Sequence, residues 1–455
     1  MERPWTLTIA ELADIYQSGQ TDPVQVVEAF RNRIAELDPA LNCFVAHNPD
    51  LDEQAEQSAA RCKAGKPLSR LDGIPLAIKD NLVVSGMPAT WGSAAFTDHI
   101  CTEDELPIAR LRAAGALFQG KTNTPEFAVD GYTHNVLFGT TRNPLNPDLT
   151  PGGSSGGSAS AVAAGMTMAA IGTDGGGSIR RPAGYTGLYG LKPGIGAVPR
   201  SGGLPQVLLD FEVVGGLTRC VADLRLLHET MSGPDLRDPA SRTYPDSAIL
   251  DRQLRILHVP LLDGQPCDPD IRAASSRAAN MMADLGHKVS SSEMPFDLTV
   301  LNDVWPRIGR IGLAQMFDAK PHLEEKASAT YRDMAREGRK FSAPQLLEVL
   351  EIVSQLRAKV GELFTSFDVI MMPCAAARPW PASLPFPDHI DGQSVGPRGH
   401  AIYTGWINAM GLPALAIPFG PPVDGIPVGI QLAADLGQEA LLLQLGEAYE
   451  CAARP

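Results

Sequence analysis

The sequence predicts an α/β fold, a single large domain in which a mixed β-sheet is sandwiched between α-helices. Two observations lead there. Short apolar, strand-like runs alternate with helical patterns along the chain, and no linker, internal repeat or low-complexity tract divides it. The composition, 44% hydrophobic and 20% charged over 455 residues, supplies ample material for a core.

Thr8-Ile-Ala-Glu11 reads as a capping-box helix start, and Asp22-Pro23 opens a second helix with apolar residues at Val24, Val27, Phe30, Ile34 and Leu37. A strand is predicted over 74–78, then a capping-box helix from Thr102 to near Gly115, then a short strand over 116–119. Residues 155–164 are small and helical, with Gly165 as the stop, and 168–171 reads as a strand running into Thr173-Asp174-Gly175-Gly176-Gly177-Ser178. Residues 235–255, polar and proline-rich, read as a long surface connection. Strand 254–259, helix 271–285 and strand 287–290 follow. The stretch 305–365 is helical and charged, and 368–372 and 414–418 are late buried strands. The whole of 1–455 is expected to form one domain, with N-terminal helices over 1–65, a central core over about 66–235 and a C-terminal core over about 250–455.

The net charge of −14 and sequence pI of about 5.1 repel phosphate backbones and anionic lipid, which argues against nucleic-acid and membrane partners. No apolar run approaches the ~18 residues of a spanning helix, and the N-terminus lacks a signal-peptide pattern. Seven scattered cysteines form no Cys-x-x-Cys, which predicts reduced thiols, a cytoplasmic location and no metal.

Three segments carry chemistry. Lys79 ends an apolar run, Ser154 lies in Pro-Gly-Gly-Ser-Ser-Gly-Gly-Ser, and Ser178 follows three glycines. The stretch from Gly152 to Gly190 holds 12 of the 44 glycines, so the backbone approaches something closely there. The N–H groups of Gly175, Gly176, Gly177 and Ser178 form a natural oxyanion hole. For Lys79 to act as a base, burial must bring its pKa down from about 10.4 to near 7. Taken singly, each segment has a plainer reading: a surface lysine beside a strand, a serine helix cap, a glycine-rich loop.

Together the segments resemble the amidase signature family. The likeness lies in Gly73-Ile-Pro-Leu-Ala-Ile-Lys79-Asp-Asn, Gly120-Lys-Thr-Asn-Thr-Pro-Glu-Phe127, Thr150-Pro-Gly-Gly-Ser-Ser-Gly-Gly-Ser158 and Gly172-Thr-Asp-Gly-Gly-Gly-Ser-Ile-Arg180, with weaker echoes to Gln431. The resemblance implies a Ser-Ser-Lys triad: Ser178 the nucleophile, Ser154 the bridging serine behind a cis Gly153–Ser154 bond, and Lys79 the base. It makes the central core the catalytic one and implies hydrolysis of the C–N bond of a small-molecule amide through an acyl-enzyme, without cofactor. Asp174 and Arg180 fall on family positions and are read as buried, paired supports. The alternative is the glutaminase subunit of a tRNA-dependent amidotransferase. The expected partner is the amide itself, with a homodimer as the assembly.

Arg181 departs from the family, whose residue there is commonly uncharged. Three residues past Ser178, its guanidinium suits a substrate carboxylate, or an acidic residue of the protein itself. Pro182 should hold its backbone extended. Specificity is expected from 305–320 and 375–406, with Trp305, Arg307, Arg310, Tyr403 and Trp406 as candidates. Two motifs are decoys. Gly115 to Thr122 matches a phosphate loop, but Ala116 to Gln119 is strand-like and Pro125 interrupts any helix from Lys121. Gly152 to Gly156 matches a nucleophile elbow, but loop and not strand precedes it.

Overall fold

Pro75–Lys79 (β2) and Ala169–Asp174 (β4) lie side by side in parallel, every residue buried, and their carboxyl ends carry the chemistry-bearing segments. Such uninterrupted apolar runs suit strands covered on both faces. The computed structural model describes residues 3–244, 252–262 and 264–453. The other strands of the main sheet are Phe44–His47 (β1), Leu117–Thr122 (β3), Tyr189–Lys192 (β5), Val213–Thr218 (β6), Arg255–His258 (β7), Lys288–Ser291 (β8), Val369–Pro373 (β9), Ala414–Val423 (β10) and Ile426–Ala434 (β11). Their spatial order is β1-β3-β2-β4-β6-β5-β10-β11-β9-β7-β8, an eleven-stranded sheet. Parallel pairs at β3-β2-β4 and β9-β7-β8 flank an antiparallel middle, so the sheet is mixed. Helices flank it, and the chain forms the single α/β domain predicted.

The N-terminal helices form as read. Thr8 and Glu11 close a capping box on Ile9–Ser18, and Asp22 caps Pro23–Leu41. Val24 is not on the buried face of that helix; it is exposed, and Val26 is buried instead. The helix predicted from Thr102 begins later, at Leu106–Ala113, without a side-chain cap. Glu105, the presumed box residue, turns inward to an ion pair with Arg200. Residues 235–244 form neither helix nor strand; 245–251 of the predicted connection lie outside the described residues. No helix among the described residues is long and apolar enough to cross a membrane.

The phosphate-loop match resolves into strand: Lys121 sits in β3, fully buried, donating to the carbonyls of Leu82 and Pro88 and pairing with Asp80 at 3.6 Å. Its amine is engaged by protein acceptors inside the core, away from any loop that could cradle a phosphate.

Candidate active site

β2 ends at Lys79 and β4 runs out through Thr173 and Asp174; their register pairs Ile78 with Ile171, which sets the lysine beside the threonine. The Lys79 Nζ lies 2.8 Å from Ser154 Oγ, 2.8 Å from Thr173 Oγ1 and 3.4 Å from the Thr173 carbonyl. The amine is fully buried, and burial lowers its pKa to about 7 against the opposing pull of Glu212 and Asp174. A neutral amine touching a serine hydroxyl can accept a proton from it. Thr173 is a residue that sequence reasoning missed, although it stands inside the Gly-Thr-Asp motif.

Ser154 reaches the amine from the loop before the helix Gly156–Ala163, and the Gly153–Ser154 peptide bond is cis. Neither serine of this loop serves as a helix cap through its side chain; Ser155 at the N-cap instead donates its hydroxyl to the Thr173 carbonyl at 3.1 Å. The Ser155 N–H donates to the Ser178 carbonyl at 3.1 Å, which ties the two loops together. Ser178 opens onto a cavity of about 110 Å³ lined also by Gly175, Gly176 and Arg181. Its hydroxyl makes no hydrogen bond among the described residues.

The turn before Ser178 depends on its glycines. Gly177 has φ +112°, and a Cβ there would collide with Arg181 Nη1 and Thr404 Oγ1. Its N–H donates to Asp174 Oδ1 at 2.6 Å. That amide is therefore committed, and the expectation that Gly177 joins an oxyanion hole is amended: among the described residues, the N–H groups of this turn that meet no protein acceptor are those of Gly175, Gly176 and Ser178.

Asp174 and Arg180 form the framework of the turn. The Asp174 carboxylate accepts from the Gly177 and Ile179 amides, from Asn408 Nδ2, and from Arg180 Nε and Nη2 at 3.0 and 2.9 Å. Despite complete burial, these partners, Arg180 foremost, hold its carboxyl far below the usual range. Arg180 reaches Gln431 Oε1 at 2.8 Å, the Thr404 carbonyl at 3.1 Å and Asn408 Oδ1 at 2.6 Å. Leaving such a buried cation unpaired costs about 3–5 kcal/mol. Asp174→Asn is accordingly expected to lower the denaturant midpoint strongly, with an unchanged slope, in equilibrium unfolding.

Arg181, expected to be extended because Pro182 follows it, lies instead in the helix Arg180–Thr186, where a proline in the first turn forfeits no helical hydrogen bond. Arg181 is 4% exposed and, among the described residues, its guanidinium pairs with no carboxylate. Nη1 donates to the Gly176 carbonyl and Thr404 Oγ1, Nη2 to the Gly153 carbonyl, and Nε has no partner. Of its five N–H groups, that on Nε and one on Nη2 meet no acceptor among the described residues. Burial lowers its pKa only to about 10, so the cation persists at neutral pH.

Two further cavity residues escaped sequence reasoning, since nothing local marks them. His400 is 3% exposed, its ring lies beside the Pro397 backbone and packs 4.7 Å from that of Trp380. Burial, then the charges of Arg181 and Arg398, keep it neutral. Arg398 stands exposed at the cavity wall. Of the specificity candidates only Trp305 lines this cavity. Arg307 pairs with Glu348, Tyr403 donates to the Pro260 carbonyl, Trp406 is core, and Arg310 lines a neighbouring cleft.

A family model described as Amidase matches residues 25–443. The chain is 32% identical to a subunit of the glutamyl-tRNA(Gln) amidotransferase of Lachnospira eligens, over 97% of both chains. It is 30% identical to an acylamidase from Rhodococcus erythropolis, over 99% of this chain and 96% of that one. Among solved structures, a bacterial aryl acylamidase of the amidase signature family aligns with a TM-score of 0.89 at 28% identity, covering 98% of this chain and 96% of the other. The peptide amidase of Stenotrophomonas maltophilia aligns with a TM-score of 0.83 at 26% identity, over 98% and 97%. With fold, sequence motifs and relatives in agreement over nearly its full length, the chain belongs to the amidase signature family of enzymes acting on C–N bonds.

Proposed function

We propose that the protein hydrolyses a small carboxylate-bearing amide through an acyl-enzyme on Ser178. Ser178 Oγ attacks the amide carbon; as that bond forms, its proton passes to Ser154 and the Ser154 proton passes to the Lys79 lone pair. The N–H groups of Gly175, Gly176 and Ser178 receive the developing oxyanion. The proton returns along the same path to the nitrogen as the C–N bond breaks, and water then repeats the sequence to release the acid. The observation that carries the reading is the Lys79–Ser154 contact at 2.8 Å, with an amine whose pKa burial sets at about 7.

The substrate class rests on Arg181. Arg181 lines the cavity as a cation whose Nε–H meets no acceptor among the described residues, and a guanidinium in that state suits a substrate carboxylate. Several relatives belong to glutamyl-tRNA(Gln) amidotransferases, and the corresponding reading here is a glutaminase subunit. Glutamine carries an ammonium as well as a carboxylate. The carboxylate lining this cavity, Asp130, already accepts from the Tyr331 hydroxyl, while Arg181 and Arg398 make the surroundings cationic. That favours a purely anionic substrate.

The test is ammonia or amine release from paired amides that differ only in a carboxylate on the acyl side, with wild type and Arg181→Leu. The variant is expected to lose about ten- to a hundredfold in kcat/KM on the acidic amide, the loss of hydrogen bonds to a charged group, and far less on the neutral one. Equal losses on both would make Arg181 a support of the Gly176 turn and remove the anionic-substrate reading.

A further inference from the structure

The Lys79 amine faces a group of charges whose signs do not cancel. Asn81, two residues on and 2% exposed, holds its amide nitrogen 2.9 Å from Thr173 Oγ1 and 3.4 Å from Glu212 Oε1. A carboxylate only accepts, so the nitrogen end of the amide must face it, and Nδ2 donates in both directions. Thr173 Oγ1 is the same atom that lies 2.8 Å from Lys79 Nζ. Glu212 is thus joined to the amine through two neutral side chains. Behind it, Arg200 Nη1 lies 3.0 Å from Glu212 Oε1 and Arg200 Nε 2.7 Å from Glu105 Oε1. One guanidinium serves two carboxylates, so this part-buried group carries one formal negative charge in excess.

The other carboxylates near the amine are already balanced. Asp174 pairs with Arg180 at 2.9 Å, and Asp80, adjacent in sequence, pairs with Lys121. The acyl-transfer step creates an ammonium at a fully buried nitrogen, which is costly unless a fixed negative charge faces it.

We propose that Glu212 is a positioning residue for this reaction: through Asn81 and Thr173 it orients the Lys79 amine, and it supplies the charge against which the ammonium forms. The role is one of orientation and charge, and the proton path itself ends at Lys79. Its part resembles that of a carboxylate behind a histidine base. Among the charged groups acting on Lys79, Glu212 is the strongest that favours the ammonium, ahead of Asp174, with Arg200 opposing.

The inference rests on Lys79 being the base, and its test separates the two. Glu212→Gln keeps size and hydrogen bonding but removes the anion. Its kcat/KM profile is expected to show the acid limb moved to lower pH by about one unit, as for loss of a nearby opposite charge. The plateau above that limb should fall about tenfold, the lower part of the range for a proton-transfer group. A purely structural role would lower the plateau without moving the limb, and that outcome, or a profile superimposed on wild type, overturns the proposal. If Glu212→Gln does not fold, Asn81→Leu carries the test: it keeps both charges and cuts the connection, so kcat should fall with KM unchanged, and a wild-type kcat overturns the proposal. Lys79→Met is measured alongside. If it stays active, the assignment of the base has failed; if it is inactive while Glu212→Gln matches wild type, only the role of Glu212 has failed.

Discussion

Ser178→Ala is expected to abolish amide hydrolysis while the thermal unfolding midpoint stays near that of wild type. The hydroxyl makes no hydrogen bond among the described residues, so its removal leaves no buried partner unsatisfied, whereas every chemical step in the proposed route passes through that oxygen. A loss of about 10³-fold or more in kcat is anticipated for removal of a nucleophile. A fluorophosphonate should label the wild-type protein at Ser178, located by peptide mass spectrometry, and should leave Ser178→Ala unmodified. Label on Ser154 in the wild type would reverse the assignment of the two serines.

Lys79→Met and Ser154→Ala should each reduce kcat by a comparable, large factor, and the double variant should be scarcely worse than either. Both side chains belong to one proton path, and members of such a unit lose their function together. The pH dependence has a defined sign. Lys79 works as the free amine, and burial lowers its pKa to about 7. Wild-type kcat/KM should therefore rise from acid pH through about 7 to a plateau on the alkaline side. Losses that add in full, or a rate that falls across that range, would rule out the lysine as the shared acceptor. The methionine substitution keeps the apolar stem in place and so avoids confusing a cavity with a chemical loss.

What could be read in advance was whatever is written locally. The strand into Lys79, the glycine turn at Ser178 and the helix starts at Thr8 and Asp22 depend on a few adjacent residues, and they appear where the sequence puts them. The Thr102 prediction failed because a long-range partner competed: Glu105 was read as a capping acid, but Arg200, 95 residues away, draws it inward. Val24 failed because spacing alone cannot tell which neighbouring face of a helix meets the core. Pro182 does not keep Arg181 extended, since a proline in the first turn of a helix is tolerated. At the site itself, Thr173 and Asn81 lie within the recognised motifs and needed only geometry to acquire partners. His400, Arg398 and Thr404 lie more than 200 residues from the serine loop, and only the closing of the sheet brings them to it.

The reach of Arg180 bears on how the molecule could be divided. One side chain, set just behind the reacting turn, is held by acceptors at 174, 404, 408 and 431. Three of those four come from the last quarter of the polypeptide. A shortened gene product ending near residue 400 would keep Lys79, Ser154 and Ser178, yet it would leave Asp174 alone of those acceptors for a buried guanidinium. The last quarter of the chain must therefore be present for the serine loop to take shape. During synthesis on the ribosome, the site should remain unformed until Gln431 has emerged, so hydrolytic competence arrives last.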